Sequence, residues 1–117
     1  MHPTALAILA LVAAGQRDHA RVPDGVRYLF DRAVPGGGWN IGNPWMLDKQ
    51  IPATIQDTAI TLLALRAVDQ STSEPRIASA IQFLRDAVAH AQTPSELAWG
   101  AYALKSWQVE MNDAITR

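Results

Sequence analysis

The chain has 117 residues, of which 49% are hydrophobic and 18% are charged, and its formal net charge at pH 7 is −1. This composition is typical of a globular domain, and the length allows one compact core. The absence of cysteine excludes a disulfide framework, a thiolate zinc site and a cysteine nucleophile. Because ten basic residues balance eleven acidic ones without charge runs, neither a nucleic-acid partner nor a strong membrane interaction is expected.

The first apolar segment, residues 4–14, has two interpretations. It is too short to span a bilayer, which takes about 20 apolar residues. A signal peptide is one interpretation, because small side chains follow the apolar run at offsets suited to cleavage. The preceding residues, Met1, His2 and Pro3, carry no positive charge, and residues 58–65 closely repeat the segment. We therefore expect a structural helix in a cytoplasmic protein; a secreted or periplasmic location is the alternative if residues 1–14 act as a signal peptide.

Five helices are predicted along the chain, with a frayed start of another after Glu110. Several prolines stand near the front of these helices, where a missing N–H is tolerated, and Gly15 suits a left-handed C-cap. A capping box from Thr93 to Glu96 marks the start of the last helix. The predicted helices cover residues 3–14, 23–33, 52–68, 74–91 and 94–108.

An internal repeat relates these helices in pairs. Residues 4–11 align with residues 58–65, and residues 26–31 align with residues 81–86. A weaker third copy of the first segment lies at residues 97–104, with Ala98 in the place of Ala59. We therefore expect repeat architecture within a single domain or fragment at 1–117. Its predicted units are residues 3–33, 52–91 and 94–117, with a Gly/Trp-rich loop at 34–51.

The two helices of each unit differ in apolar pattern. The repeated segments at 4–14, 58–68 and 97–104 are apolar nearly all round, which predicts inner helices that neighbours enclose. The intervening helices carry one apolar stripe at three- and four-residue spacing, which predicts outer helices with one wet face. The expected fold class is all-α, with inner and outer helices stacked in two layers. The stripe residues are Val22, Val26, Leu29, Ala33, Ile77, Ile81, Leu84 and Val88.

The loop at residues 34–51 holds four of the seven glycines and two of the four tryptophans. Long loops inside compact domains are typically functional or disordered. We interpret Trp39 and Trp45 as wedges that lock the loop against helix ends, with a ligand platform as the alternative. A phosphate-binding loop is not indicated, because no strand precedes the glycines and no lysine follows in register.

Two motifs in the chain resemble the prenyltransferase and squalene–hopene cyclase repeat family, whose members share an α/α toroid. Gly37-Gly38-Trp39, after an amphipathic helix, resembles the end of the QW repeat of the triterpene cyclases. Gln56-Asp57-Thr58-Ala59 resembles the end of the cyclase acid motif and the inner helix after it. Bacterial members with a GGWN-xxGN loop are more similar still, and the matching residues are Gly37, Gly38, Trp39, Asn40, Gly42 and Asn43. The resemblance implies a partial α/α toroid, about half of a ring of six helix pairs.

The acid motif departs from that of the family. The cyclases protonate an alkene with the central acid of a DxDD motif, and the corresponding residues here are Thr54, Ile55, Gln56 and Asp57. A carboxamide at the proton donor's place has no proton to release to a weak base. The surviving carboxylate of Asp57 is most simply a partner for free amides at a helix start.

The zinc-dependent branch of the family holds its metal with Asp, Cys and His. This chain has no cysteine, and its histidines, His2, His19 and His90, are scattered over different predicted elements. We therefore expect no metal and no cofactor, and we interpret the chain as catalytically silent.

Three functions remain open. The favoured one is a silent domain whose apolar surface binds an isoprenoid, another apolar ligand or a partner. Trp99, Tyr102 and Trp107 motivate it. Trp99 and Tyr102 lie three residues apart on an inner helix and could share a face, although core packing also explains them. The second is a fragment of a terpene cyclase-like or prenyltransferase-like enzyme, with catalytic Asp57 and loop residues that must converge with it. Those loop residues are Asn40, Asn43 and Asp48.

The third function is an interaction scaffold. A bare inner helix presents an apolar patch large enough to drive association. We therefore expect either a homo-oligomer or the remainder of a longer chain to cover it.

Overall fold

The computed structural model describes residues 2–40, 45–46 and 48–116, with side chains at residues 3–40, 45 and 48–107. Helices dominate the described residues, which confirms the all-α class. A two-stranded antiparallel hairpin lies in the predicted loop and was not expected, because strands of two residues leave no alternating pattern. In chain order the elements are α1 (His2–Ala13), α2 (Arg21–Asp31), β1 (Trp45–Met46), β2 (Lys49–Gln50), α3 (Ile55–Ala67), α4 (Pro75–Val88) and α5 (Pro94–Thr116).

Helix α3 lies at the centre of the molecule. It contacts α1, α4 and α5, while α2 contacts α1 and α4 contacts α5. Helices α1, α3 and α5 therefore lie side by side with α3 in the middle, and we call these three the front layer. Helices α2 and α4 pack on this layer.

Most residues of the predicted apolar stripes of α2 and α4 are buried, and Val26, Ala33 and Val88 are partly buried. Leu29, Ile77 and Leu84 have no exposed surface, and Val22 and Ile81 are nearly as inaccessible. Polar residues between them, such as Gln82 and Arg85, face solvent. The prediction that each of these helices has one packed face and one solvent-exposed face is confirmed.

The prediction that neighbours enclose the apolar helices is right for α3 and wrong for α1 and α5. Nine of the 13 residues of α3 are buried. By contrast, Leu6 of α1 is 50% exposed, and Leu97 and Tyr102 of α5 are 52% and 62% exposed. The apolar pattern alone does not reveal this difference, because it records the composition of a helix and not the number of its neighbours.

Two helices of the front layer end in the same way. After α1, Gly15 has a φ of 77°, its N–H donates to Val12, and the N–H of Gln16 donates to Leu11. This is the Schellman arrangement, and it confirms the predicted glycine cap. After α3, Asp69 takes the same place with a φ of 62°, and the matching bonds run from Asp69 to Arg66 and from Gln70 to Leu65.

Several predicted boundaries were wrong. Helix α2 spans Arg21–Asp31 and not residues 23–33, and α4 ends at Val88 and not at residue 91. Helix α3 begins at Ile55 and not at residue 52, because Thr54 is its N-cap and accepts a hydrogen bond from the Asp57 N–H. Helix α5 continues to Thr116 without the break predicted near residue 108.

Candidate functional site

Trp39 joins the end of α2 to the start of α3. Its side chain is fully buried, and the indole Nε1–H donates to the Leu29 carbonyl at 2.6 Å. Its backbone N–H donates to the Thr58 hydroxyl at 2.9 Å, and its carbonyl accepts from the Thr54 N–H at 2.9 Å. Trp39 is therefore a core residue with no surface for a ligand.

The glycines before Trp39 allow the chain to approach α3 and α4 closely. Gly37 and Gly38 have φ values of 114° and 87°, which L side chains rarely adopt. A Cβ at Gly38 would lie 2.7 Å from the Thr58 hydroxyl oxygen, and one at Gly37 would lie 2.7 Å from the Ser79 carbonyl oxygen. The Gly-Gly-Trp motif thus has a packing role here.

The other predicted loop residues lie in different environments. Asn40 is buried, and its Nδ2 donates to the Ile51 carbonyl at 3.1 Å, which joins the middle of the loop to its end. Trp45 is 52% exposed on β1. Asp48 is exposed in the hairpin turn with a φ of 63°. Asn43 lies outside the described residues.

Asp57 is buried in the first turn of α3. Its Oδ2 accepts a hydrogen bond from the Thr54 hydroxyl at 2.6 Å, and its N–H donates to the same hydroxyl oxygen at 3.2 Å. The start of α5 repeats the arrangement, since the Thr93 hydroxyl accepts from the Glu96 N–H at 3.1 Å and donates to its carboxylate at 3.4 Å. A role in helix capping accounts for these contacts of Asp57.

A cavity of about 520 Å³ lies beside Asp57, between the starts of α3 and α5 and the end of α4. Neither Asn40 nor Asp48 lines it. The described residues that the enzyme hypothesis requires to converge therefore do not share this cavity. The side chains that do line it with Asp57 are Ala53, Thr54, Ile55, Gln56, Phe83, Ala87, His90 and Glu96.

A second cavity, of about 380 Å³, is a groove along the front layer, and we call it the front groove. It brings together Trp99 and Tyr102, as their spacing on one helix predicts. Trp99 is partly buried and Tyr102 is largely exposed. The remaining lining residues were missed at the sequence level: Leu9, Leu63, Arg66, Ala67 and Ser106.

The internal repeat carries the signal that finds the missed residues. Leu9 and Leu63 occupy equivalent positions in the first two copies, and Tyr102 occupies that position in the third. All three side chains line the front groove. Each copy of the repeat therefore contributes the large side chain at this position to the same surface.

Trp107 holds together two of the helices that form the front groove. Its buried indole Nε1–H donates to the Leu62 carbonyl at 2.9 Å, which fixes α5 against α3. The Arg66 guanidinium carbon lies 5.9 Å from the centre of the Trp107 ring. A cation–π contact thus orients the one basic side chain that lines the front groove.

A more polar cavity, of about 510 Å³, lies between the α1–α2 turn and the end of α3. Both signs of charge line it, and Arg17 is paired with Asp69 there. Arg27, also on its wall, is paired with Asp24. This cavity consequently has no excess of one charge that would select an ion.

Among the described residues, no three His, Asp or Glu side chains are grouped as metal ligands would be. None of the helices in the described part of the chain has the length and apolar character needed to cross a membrane. Comparisons with protein-family models, with curated proteins and with solved structures found no match for this chain.

Proposed function

We propose that the chain is a catalytically silent helical repeat domain of the α/α toroid type that binds an isoprenoid or similar apolar chain in the front groove. The observation that carries the proposal is the convergence of Leu9, Leu63 and Tyr102, one from each repeat copy, on one surface. An open surface that three copies line with large apolar or aromatic groups suits an extended apolar molecule.

The shape and chemistry of the front groove support this class of ligand. Its volume of about 380 Å³ lies within the usual range of small-molecule sites, roughly 300–1,000 Å³. Trp99 and Tyr102 provide flat aromatic surfaces, on which each buried methylene group contributes about 0.8 kcal/mol. Arg66 and Ser106 add one cation and one hydroxyl, which suit a ligand with a polar end.

Two further observations support the silent, toroid-like part of the proposal. Gln56 stands at the place where the resemblance puts the proton donor, and a carboxamide is not an acid at neutral pH. Helices α1 and α3 end in the same Schellman arrangement at equivalent residues, Gly15 and Asp69, as copies of one structural unit would.

Binding is tested by adding farnesol, geranylgeraniol or farnesyl diphosphate at sub-millimolar concentration and measuring the melting temperature and the tryptophan fluorescence. A ligand at ten times its Kd adds about 1.4 kcal/mol to the free energy of unfolding. For a domain of this size, that corresponds to a rise of several degrees in Tm. The two alcohols and the diphosphate together separate the contribution of the apolar chain from that of the charged end.

Matched variants locate the site. Tyr102→Ala is expected to weaken binding several-fold, whereas Tyr28→Ala, an exposed tyrosine on α2, is expected to leave it unchanged. Trp99→Phe is expected to keep the shift in Tm and to lose most of the fluorescence change. If none of the three compounds alters Tm or fluorescence, the proposed function is wrong.

A further inference from the structure

The outer side of α1 is an apolar surface in contact with solvent. Leu6 is 50% exposed, and Ala7 and Ala10 are also exposed. The helix contains no Asp, Glu, Lys or Arg. A solvent-facing helix surface usually carries charged residues, so an uncharged one is typical of a covered surface. We call Leu6, Ala7 and Ala10 the α1 edge.

The repeat shows what covers the equivalent surface in the interior. The residues of α3 that align with the α1 edge are Ile60, Thr61 and Ala64. Their exposures are 3%, 0% and 0%, because α3 has a neighbour on each side within the front layer. The α1 edge is therefore built like a helix surface that packs against another helix of the front layer.

The opposite side of the front layer has a matching surface. Leu97 of α5 is 52% exposed, and Ala98 and Ala101 are exposed as well. We call these three residues the α5 edge. In the third copy of the repeat they align with Thr58, Ala59 and Leu62 of α3, which have no exposed surface.

The α1 edge and the α5 edge thus lie on opposite sides of the front layer. Within the chain, α1 packs on α3 and α3 packs on α5. An α1 edge placed against an α5 edge continues the same order with the same types of side chain. A second copy of this chain supplies that surface without any new sequence.

We propose that two copies of this chain associate head to tail, with the α5 edge of one packed against the α1 edge of the next. The contact is heterologous, because the two surfaces differ, and each copy keeps one free edge for further association. Lys105, one turn after Ala101 on the same side of α5, is exposed, and α1 contains no charged residue that would oppose it. This inference does not depend on ligand binding in the front groove.

Sedimentation velocity from micromolar to millimolar concentration tests the association. The unmodified chain is expected to increase in average mass with concentration. Leu6→Glu blocks the α1 edge and Leu97→Glu blocks the α5 edge, so each variant alone is expected to be a monomer. Tyr28→Glu, at an exposed aromatic position on α2, is the control and is expected to associate like the unmodified chain.

Mixing the two variants provides the decisive result. Leu6→Glu keeps an intact α5 edge and Leu97→Glu keeps an intact α1 edge, so an equimolar mixture is expected to form a dimer that does not grow further. Circular dichroism checks that both variants are folded, and Ala10→Glu with Ala101→Glu is a second pair at exposed positions. A mixture that stays monomeric, or an unmodified chain that is monomeric throughout, overturns the proposal.

Discussion

The indole of Trp39 fills the space where the end of α2 meets the start of α3. Trp39 makes four hydrogen bonds: the indole N–H donates to the Leu29 carbonyl, the backbone N–H donates to the Thr58 hydroxyl, and the backbone carbonyl accepts from the Thr54 N–H and from the Thr58 hydroxyl. Trp39, Leu29 and Thr58 have no exposed surface, so the bonds among these three residues lie away from water. Loss of one hydrogen bond of this kind costs about 0.5–1.5 kcal/mol.

Trp39→Phe is therefore expected to lower the free energy of unfolding by about 1–3 kcal/mol, because it removes the hydrogen bond from the indole to the Leu29 carbonyl and opens a small cavity. Trp45→Phe, at a half-exposed position on β1, is the matched control and is expected to change it by less than about 0.5 kcal/mol. Urea unfolding of the two variants checks the difference. Equal stabilities would show that the Trp39 contacts do not hold the loop.

Part of this loop was predictable from sequence. Three consecutive glycines before an indole indicate close packing on the main chain, and this is what Gly37 and Gly38 do. The partners of the indole were not predictable, because Leu29 and Thr58 are distant in sequence and only the path of the loop brings them together. The burial of Asn40 was missed for the same reason.

At the scale of the elements, α1 and α3 are copies of one repeated segment. The turns that follow them are alike, but Gly15 stands in the first and Asp69 in the second. Gly15 takes the left-handed conformation without steric cost, whereas the Cβ of Asp69 makes the same conformation unfavourable. The side chain of Asp69 also pairs with Arg17, but both groups are substantially exposed, so this ion pair contributes little.

Asp69→Gly is expected to be more stable than Asp69→Ala by about 1 kcal/mol, because both variants lose the ion pair and only alanine keeps the strained φ. Thermal or urea unfolding measures the difference. Gly15→Ala is expected to be destabilised by a similar amount relative to the unmodified chain. If the two Asp69 variants are equally stable, the left-handed turn after α3 does not carry the strain described here.

The helices themselves were largely predictable, since their apolar spacing, prolines and caps are local signals. α1 and α4 begin within one residue of their predicted starts. The start of α3 was predicted too early, because Pro52 looks like a first helical residue, while Thr54 holds the actual cap. The hairpin of β1 and β2 was missed, because its pairing depends on the turn at Asp48 and not on side-chain alternation.

At the scale of the whole molecule, the position of each helix in the front layer decides its surface. α3 has neighbours on both sides and is enclosed, whereas α1 and α5 each keep an apolar edge in solvent. The sequence makes all three helices look alike, so it predicts apolar surfaces but not which of them are covered. The front groove follows from the same layer, because equivalent residues of neighbouring helices point to one side of it.

Two of the predicted site residues, Trp99 and Tyr102, lie together in the front groove, and the other described ones lie outside it. Trp99 and Tyr102 share one helix, so their spacing alone brings them to one surface. Asp57 is bonded to the N-cap residue Thr54 at the start of α3, and Asn40 is bonded to the Ile51 carbonyl. The predicted site residues therefore divide between structural roles near the start of α3 and the front groove.

The most direct test of the front groove uses the absence of cysteine from the chain. Ser106→Cys places a single thiol in the groove, and Ser95→Cys places one at an exposed position in the first turn of α5 as the control. The rate at which each thiol reacts with a small reagent is measured with and without farnesol. Protection of the thiol at position 106 alone is the predicted result. Equal rates at position 106 with and without farnesol, at a concentration that shifts Tm, would place the ligand elsewhere and contradict the proposed site.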